Sequence, residues 1–427
     1  MNKRTFIKFS GLGLATIALP SMAQQKAGST SSAGSQLTDI TGSTTPISAA
    51  ERQQRIKRAQ QLMRNHGIAA VVLEPGAAMD YFSGIQWWRS ERLTALVIPQ
   101  EGEVGVVTPF FEEPSVRETL AVGRDVRVWQ EHENPFVQLK GILKDRGITK
   151  GKLAFESTVR YFVLNGSMSV LPDMRHVSAD PVTLGCRMFK SAHELQLIHK
   201  ANEITLKAYE HVYSQLQEGM SQQDVKLLMS NAQQALGGHD IWGLTLFNEA
   251  SAYPHGTKQQ QNIREGSVVL MDCGCAVHGY QSDISRTFVF GEASKKQKTV
   301  WEQVKKGQQI AFETAQLGTA AGKVDDAVRS YYVKLGYGPE YSLPGLSHRT
   351  GHGIGMEGHE SVNFVHGETT PLQPGMCLSN EPGIYIPGEF GVRLEDCIYM
   401  GENGTNWFTE PPVSLENPIG KLAPLSV

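Results

Sequence analysis

The stretch MDCGCAVHGYQSDISRTF, residues 271–288, decides the fold. It sets Asp272 and Asp283 at the two ends of a segment containing Gly274, Gly279 and Tyr280. If that segment folds back as a hairpin, the two carboxylates become cross-strand neighbours on one face, with Cβ atoms about 5 Å apart. A two-residue turn at Val277-His278 is poor turn chemistry, so a bulge at Gly279 is expected.

A second stretch, NEPGIYIPGEFGVRLED (380–396), repeats the plan with Glu381 and Glu395 across Pro387–Gly391. Pro382 cannot donate a ladder hydrogen bond, which predicts an edge strand or a local opening there. Between the two hairpins lies SHRTGHGIGMEGH (347–359), where glycines flank His352 and allow close backbone approach. Four carboxylates brought together unpaired would raise each other's pKa, and two divalent cations would neutralise them. An oxygen-rich set with one imidazole suits Mn, Co or Zn. Asp272, Asp283, His352, Glu381 and Glu395 therefore read first as the ligands of a two-metal hydrolase.

The rest of the 427-residue chain is consistent with this. Its length predicts two domains, and 40% hydrophobic with 19% charged residues fits a globular protein. A formal charge of −3 and no basic stripe leave no nucleic-acid footprint. The first residues have leader character. Basic MNKRTFIKF precedes apolar GLGLATIALP and the small-x-small site Ser21-Met22-Ala23. We expect a signal peptide over 1–23, with a twin-arginine-like or general export route and a periplasmic destination. Cleavage removes Lys3, Arg4 and Lys8 and takes the charge from −3 to −6. The apolar run is too short for a stable membrane anchor. Residues 24–48 are Ser/Thr/Gly/Gln-rich and read as a flexible linker.

A helix is expected over 49–66 from Ile56, Ala59, Leu62 and Met63, then a buried strand at IAAVVLEP and a hairpin around Glu101-Gly102. This α/β region, 49–185, holds no catalytic constellation. Arg89, Glu91 and the Trp87-Trp88 pair stand out in it, either as surface packing or as a wall over a neighbouring active site. A second domain, 186–420, opens with a capping box at Ser191–Glu194 and a long helix. Its blocks of helices and antiparallel strands favour α+β. The five cysteines are odd in number and follow no disulfide framework. Cys273 and Cys275 alternate away from the Asp272 face and read as small buried hydrophobes.

These blocks resemble the pita-bread-fold (M24) metallopeptidases, which include methionine aminopeptidase, aminopeptidase P and prolidase. The resemblance covers about residues 49–415. It implies a C-terminal pita-bread catalytic domain preceded by a smaller creatinase-like N-terminal α/β domain. It implies that Asp272 binds one metal, that His352 and Glu381 bind the other, and that Asp283 and Glu395 bridge them. A hydroxide held between the metals would be the nucleophile, with Glu381 as proton shuttle. His255 and His359 match the Xaa-Pro branch as catalytic, substrate-contacting residues, His348 as lining for the proline pocket, and Arg393 as a partner for carboxylates or the substrate terminus. The implied function is a dinuclear exopeptidase, manganese-dependent by first expectation, that cleaves short peptides with proline second. An aminopeptidase and a dipeptidase are both open, and a homodimer is implied. Creatinase, which lacks the full carboxylate set, fits badly. Two other readings stand beside this one: a hydrolase of the same fold acting on a non-proline peptide or non-peptide amide, and a catalytically dead peptide-binding module.

Overall fold

The computed structural model describes residues 37–426, which form one compact unit. The expected leader, residues 1–23, lies outside them. Residues 37–48, expected as linker, instead pack on the body. Ile40 N–H donates to Leu236 O (3.1 Å), and Ile47 is buried in the main core. A few apolar side chains at Leu37, Ile40 and Ile47 outweigh the polar composition around them.

Helix α1 (Ala49–His66) is started by a capping box between Ser48 and Glu51 and buries Ile56, Ala59 and Met63. It leads into strand β1 (Ile68–Leu73) and helix α2 (Ala77–Ser83). Strands β2 (Ala95–Pro99) and β3 (Gly105–Pro109) form the expected hairpin. Helix α3 (Glu113–Thr119), strand β4 (Asp125–Trp129), helix α4 (Phe136–Asp145), strand β5 (Gly151–Phe155), helix α5 (Tyr161–Val170), strand β6 (Met174–Ser178) and helix α6 (Asp180–Arg187) follow. The six strands make one mixed sheet in the order β4-β3-β2-β1-β5-β6, with a hydrophobic cluster on each face.

The second half begins with helix α7 (Ala192–Gln215), which has the expected capping box, and helix α8 (Gln222–Ala235), which has one of its own between Ser221 and Asp224. Strand β7 (His239–Phe247) pairs with the long β8 (Ser267–Val277), which returns through β9 (Tyr280–Gln281) and β10 (Ile284–Phe290). Helices α9 (Lys295–Thr314) and α10 (Gly322–Lys334) back a second sheet. That sheet contains β11 (Gly351–Gly353), β12 (Glu360–Phe364), β13 (Cys377–Asn380), β16 (Asp396–Gly401) and β17 (Gly404–Trp407). Strands β14 (Gly383–Ile386) and β15 (Phe390–Arg393) form a separate hairpin between β13 and β16. Short strands β18 (Thr409–Glu410) and β19 (Lys421–Leu422) close the fold, so ordered pairing runs past the expected end at 420. The architecture is α+β: an α/β layer structure followed by two antiparallel sheets covered by helices.

Two details of the first acidic hairpin differ from expectation. Its turn is His278-Gly279, both at positive φ (48° and 85°), as a type I′ hairpin turn requires. Because a histidine accepts that conformation here, no bulge is needed. One register then holds on both sides of the short interruption at Ser282-Asp283, from Val277↔Tyr280 to Asp272↔Ser285. In consequence Asp283 stands opposite Gly274, and Asp272 and Asp283 are diagonal rather than direct neighbours on their common face. A Cβ on Gly274 would meet Ser282 O at 2.1 Å and Trp242 Nε1 at 2.6 Å, so only glycine fits beneath this crossing.

Candidate metal centre and active site

The second acidic hairpin keeps one register on both sides of a break. Asn380 pairs with Asp396 and Gly383 with Arg393. That register places Glu381 directly opposite Glu395 in the gap opened by Pro382, as the proline predicts. His352 comes from β11, whose neighbour β13 approaches so closely that a Cβ on Gly351 would lie 2.2 Å from Ser379 O. Its N–H donates to Ser379 Oγ (3.0 Å), and its Nδ1 bonds Gly353 O (3.0 Å). A carbonyl only accepts, so the proton sits on Nδ1 and Nε2 is left to face the carboxylates. Nε2 lies 3.3 Å from Glu381 Oε1 and 3.6 Å from Asp283 Oδ2.

All nine residues expected as metal ligands or as catalytic and substrate-contacting groups line one cavity of about 820 Å³: Asp272, Asp283, His352, Glu381, Glu395, His255, His348, His359 and Arg393. Within it Asp283, His352 and Glu395 are the tightest group, each offering a ligand atom within 4.8 Å of the others. Asp272 and Glu381 flank that trio. Asp272 Oδ2 is drawn to Arg393 Nη2 (2.6 Å), and Glu381 Oε1 accepts from Ser379 Oγ (3.4 Å). Of the two partners expected for Arg393, the structure supplies the carboxylate. The remaining N–H groups of Arg393 reach Ser285 Oγ (2.8 Å), Tyr385 Oη (3.1 Å) and Pro254 O (3.3 Å).

The donor set fits divalent cations. Asp272 Oδ1, Asp283 Oδ1 and Glu395 Oε1 are buried without any hydrogen-bond partner, an arrangement that costs free energy unless a cation completes it. Burial, with Glu395 and Asp272 close by, pushes the Asp283 carboxyl well above the carboxylate range. Burial and Glu381 do the same to Glu395. Burial carries Glu381 up to about 7. The imidazoles move the other way: burial holds His352 and His348 down at about 3 and lowers His359. The site thus keeps neutral imidazoles, the form a metal accepts.

His348 is more committed than its spacing suggests. Nδ1 donates to Arg349 O and Nε2 accepts from Tyr385 Oη, each at 2.7 Å, so the ring presents a face to the cavity and no free N–H. His359 packs edge-on against His352, with ring centroids 4.3 Å apart. Arg89 reaches Pro75 O and Thr158 O, and the exposed Glu91 pairs with its neighbour Arg92, so neither lines this cavity.

Several contributors escape a reading of spacing. Ser285 donates to Glu395 Oε2 (2.7 Å) and accepts from Arg393, linking the two hairpins. Alternation from Asp283 along β10 was the available signal. Beneath it Arg286 and Asp396 form an ion pair with no exposure, and Arg286 Nη1 also holds Glu395 O (2.7 Å). Tyr385, Arg349, Asp240, Trp242 and Gln281 carry no signal of their own. The thiols of Cys273 and Cys275 are buried and away from the cavity, as alternation requires, and burial pushes Cys275 up to about 11.

A hairpin pair of buried carboxylates facing a neutral imidazole defines a metallopeptidase centre of the pita-bread type, and sequence comparison agrees. Residues 196–402 match the metallopeptidase family M24 and residues 55–189 match the creatinase/prolidase N-terminal domain. The chain belongs to the M24 metallopeptidase family, in its Xaa-Pro peptidase branch. It is 30% identical to a putative dipeptidase of Bacillus subtilis over 84% of this chain and 99% of the relative. It is 30% identical to an Xaa-Pro dipeptidase of Pyrococcus horikoshii over 84% of this chain and 97% of that one. Among solved structures, dipeptidase PepE from Mycobacterium ulcerans superposes with a TM-score of 0.78 at 29% identity, covering 85% of this chain and 96% of PepE.

Proposed function

We propose that this protein is a dinuclear, manganese-dependent exopeptidase that hydrolyses Xaa-Pro bonds in dipeptides or at the N-terminus of short peptides. The observation that carries the reading is the trio of partnerless buried oxygens, Asp272 Oδ1, Asp283 Oδ1 and Glu395 Oε1, in one cavity with His352. In this reading Asp272 would hold one metal, His352 and Glu381 would hold the other, and Asp283 and Glu395 would serve both. When bound, such a pair of cations acidifies a water and polarises the scissile carbonyl.

The chain's own groups supply the rest. Glu381, with a carboxyl held up to about 7 by burial, takes a proton from the attacking water and returns it to the leaving nitrogen. His255 and His359 steady the oxygen that gains charge. His348, locked by Tyr385, gives one wall of the pocket for the proline ring. Arg393 keeps Asp272 aimed. The proline preference is supported by the match to the Xaa-Pro branch, which includes the Xaa-Pro dipeptidase of Pyrococcus horikoshii. The same reading includes export through the leader and assembly as a homodimer. No helix among the described residues is long and apolar enough to cross a membrane.

The deciding experiment incubates the protein with Xaa-Pro, Xaa-Pro-Xaa and Met-Ala peptides under Mn, Co and Zn and reads products by mass. Cleavage before proline that a chelator abolishes supports the proposal. Cleavage of Met-Ala alone would move the protein to a different specificity.

A further inference from the structure

The main cavity continues into a second one of about 760 Å³, and the two have Asp240 and Gln281 in common. The far wall of the second cavity comes from the N-terminal region. Trp87 and Trp88 stack there with centroids 4.3 Å apart and planes 21° from parallel. Trp87 packs against the core of the N-terminal sheet, whereas Trp88 is 64% exposed and unburdened on its outer face. Ile85 and Met356 extend the apolar lining. The active site therefore has an aromatic side chamber.

Charge orients what would lie between them. Asp240 sits at the junction, at φ 46°, where the register of β7 against β8 shifts between His239 and Trp242. A bulge of this kind re-aims a side chain next to a site. Asp240 forms no ion pair among the described residues, so its carboxylate is free. On a different wall, Arg349 and His359 are common to the main cavity and a third one of about 360 Å³. Arg349 donates to Asn363 Oδ1 (2.9 Å) and likewise has no ion-pair partner among the described residues. A short peptide is a zwitterion. Its ammonium is drawn to the Asp240 side and its carboxylate to the Arg349 side, and the first side chain then points toward the tryptophans.

We propose that the Trp87-Trp88 chamber is the pocket for the first residue's side chain, with Asp240 as the anchor for the free ammonium, and that it selects large apolar or aromatic first residues. The inference rests on the exopeptidase reading above. Stacking of an aromatic side chain on such a pair adds a factor of about two to ten beyond area burial.

The test compares kcat/KM for Phe-Pro and Gly-Pro in the Mn-loaded protein and in Trp88→Ala and Trp87→Ala. Wild type should favour Phe-Pro, and the Phe-Pro to Gly-Pro ratio should fall by about tenfold in either variant. In parallel, the chelator-treated protein is titrated with each dipeptide while tryptophan fluorescence is followed. Phe-Pro should perturb it and Gly-Pro should not, and Trp88→Ala should abolish the difference. An unchanged ratio together with identical titrations overturns the proposal. If neither dipeptide is cleaved but Phe-Pro alone perturbs the fluorescence, the chamber stands and the peptidase reading falls. If Trp88→Ala alters the sedimentation mass and leaves the ratio alone, the pair is a contact between two copies and the proposal is wrong.

Discussion

Arg393 Nη2 lies 2.6 Å from Asp272 Oδ2, and both groups are largely withdrawn from water. Asp272 thus enters the site already aimed, with one oxygen held by the guanidinium and the other free for a cation. Replacing Arg393 by Met should lower the metal content per chain measured by elemental analysis after dialysis. It should also destabilise the fold by about 3–5 kcal/mol, the usual cost of breaking a buried pair from one side. Wild-type metal content in Arg393→Met would mean that Asp272 is oriented by something else.

Glu381 stands opposite Glu395 in the gap beside Pro382, where it is not needed for strand pairing. Glu381→Ala should therefore abolish turnover while leaving the circular dichroism spectrum and melting behaviour of the metal-free protein close to wild type. Residual activity above a few per cent would remove Glu381 from the proton path.

His255 lines the main cavity and is free to touch substrate. If it stabilises the oxygen that gains charge, His255→Ala should reduce kcat by roughly 10²-fold, the scale of losing one oxyanion donor. A change confined to KM would assign it to binding alone.

The metal-free protein should respond to pH in a specific direction. Burial holds the Glu381 carboxyl up at about 7, above its ordinary 4.5. A carboxyl shifted that way favours the folded chain while protonated, and its contribution fades as pH climbs from the unfolded to the folded pKa. His352 and His348, held down at about 3, run oppositely and cost stability as pH falls below 6.5. Cations bind the deprotonated set, so the rise in Tm on adding Mn should be small at pH 5 and grow through pH 8. Differential scanning fluorimetry with and without chelator reads this, and a shift independent of pH would contradict it.

Gly274 lies beneath the crossing of Trp242 and Ser282. Gly274→Ala should push the first acidic hairpin apart and destabilise the protein by about 1–3 kcal/mol. The same change should weaken metal binding, because Asp283 stands opposite. A denaturant midpoint equal to wild type would show that the hairpin yields at no cost.

Much of this site was legible in the chain because strand alternation and hairpin spacing are local properties. Asp272, Asp283, Glu381 and Glu395 could be paired by counting, and Pro382 announced its own break. The counting failed where a residue behaved unusually. His278 adopts positive φ, which closes the turn without the expected bulge and moves Asp283 from Asp272 to Gly274. Residues 37–48 look like linker by composition, yet Ile40 and Ile47 are enough to dock them. Arg349 and Asp240 were invisible because their placement depends on contacts made far along the chain. Tyr385 shares the alternation of Glu381, but its role comes from hydroxyl contacts with His348 and Arg393 that no count along one strand shows.

The turn at His278-Gly279 leads directly into Tyr280, whose hydroxyl is gripped by Arg55 Nη2 and donates to Glu194 Oε1, each at 2.7 Å. Arg55 belongs to α1, in the other half of the chain. The loop that delivers Asp283 is therefore seated on a residue 225 positions upstream. An engineer exchanging N-terminal regions between related enzymes would be replacing part of the jig that holds the catalytic hairpin. Chimeras that keep an arginine at position 55 beside Tyr280 and Glu194 should inherit a working centre, and those that lose it should inherit the fold alone.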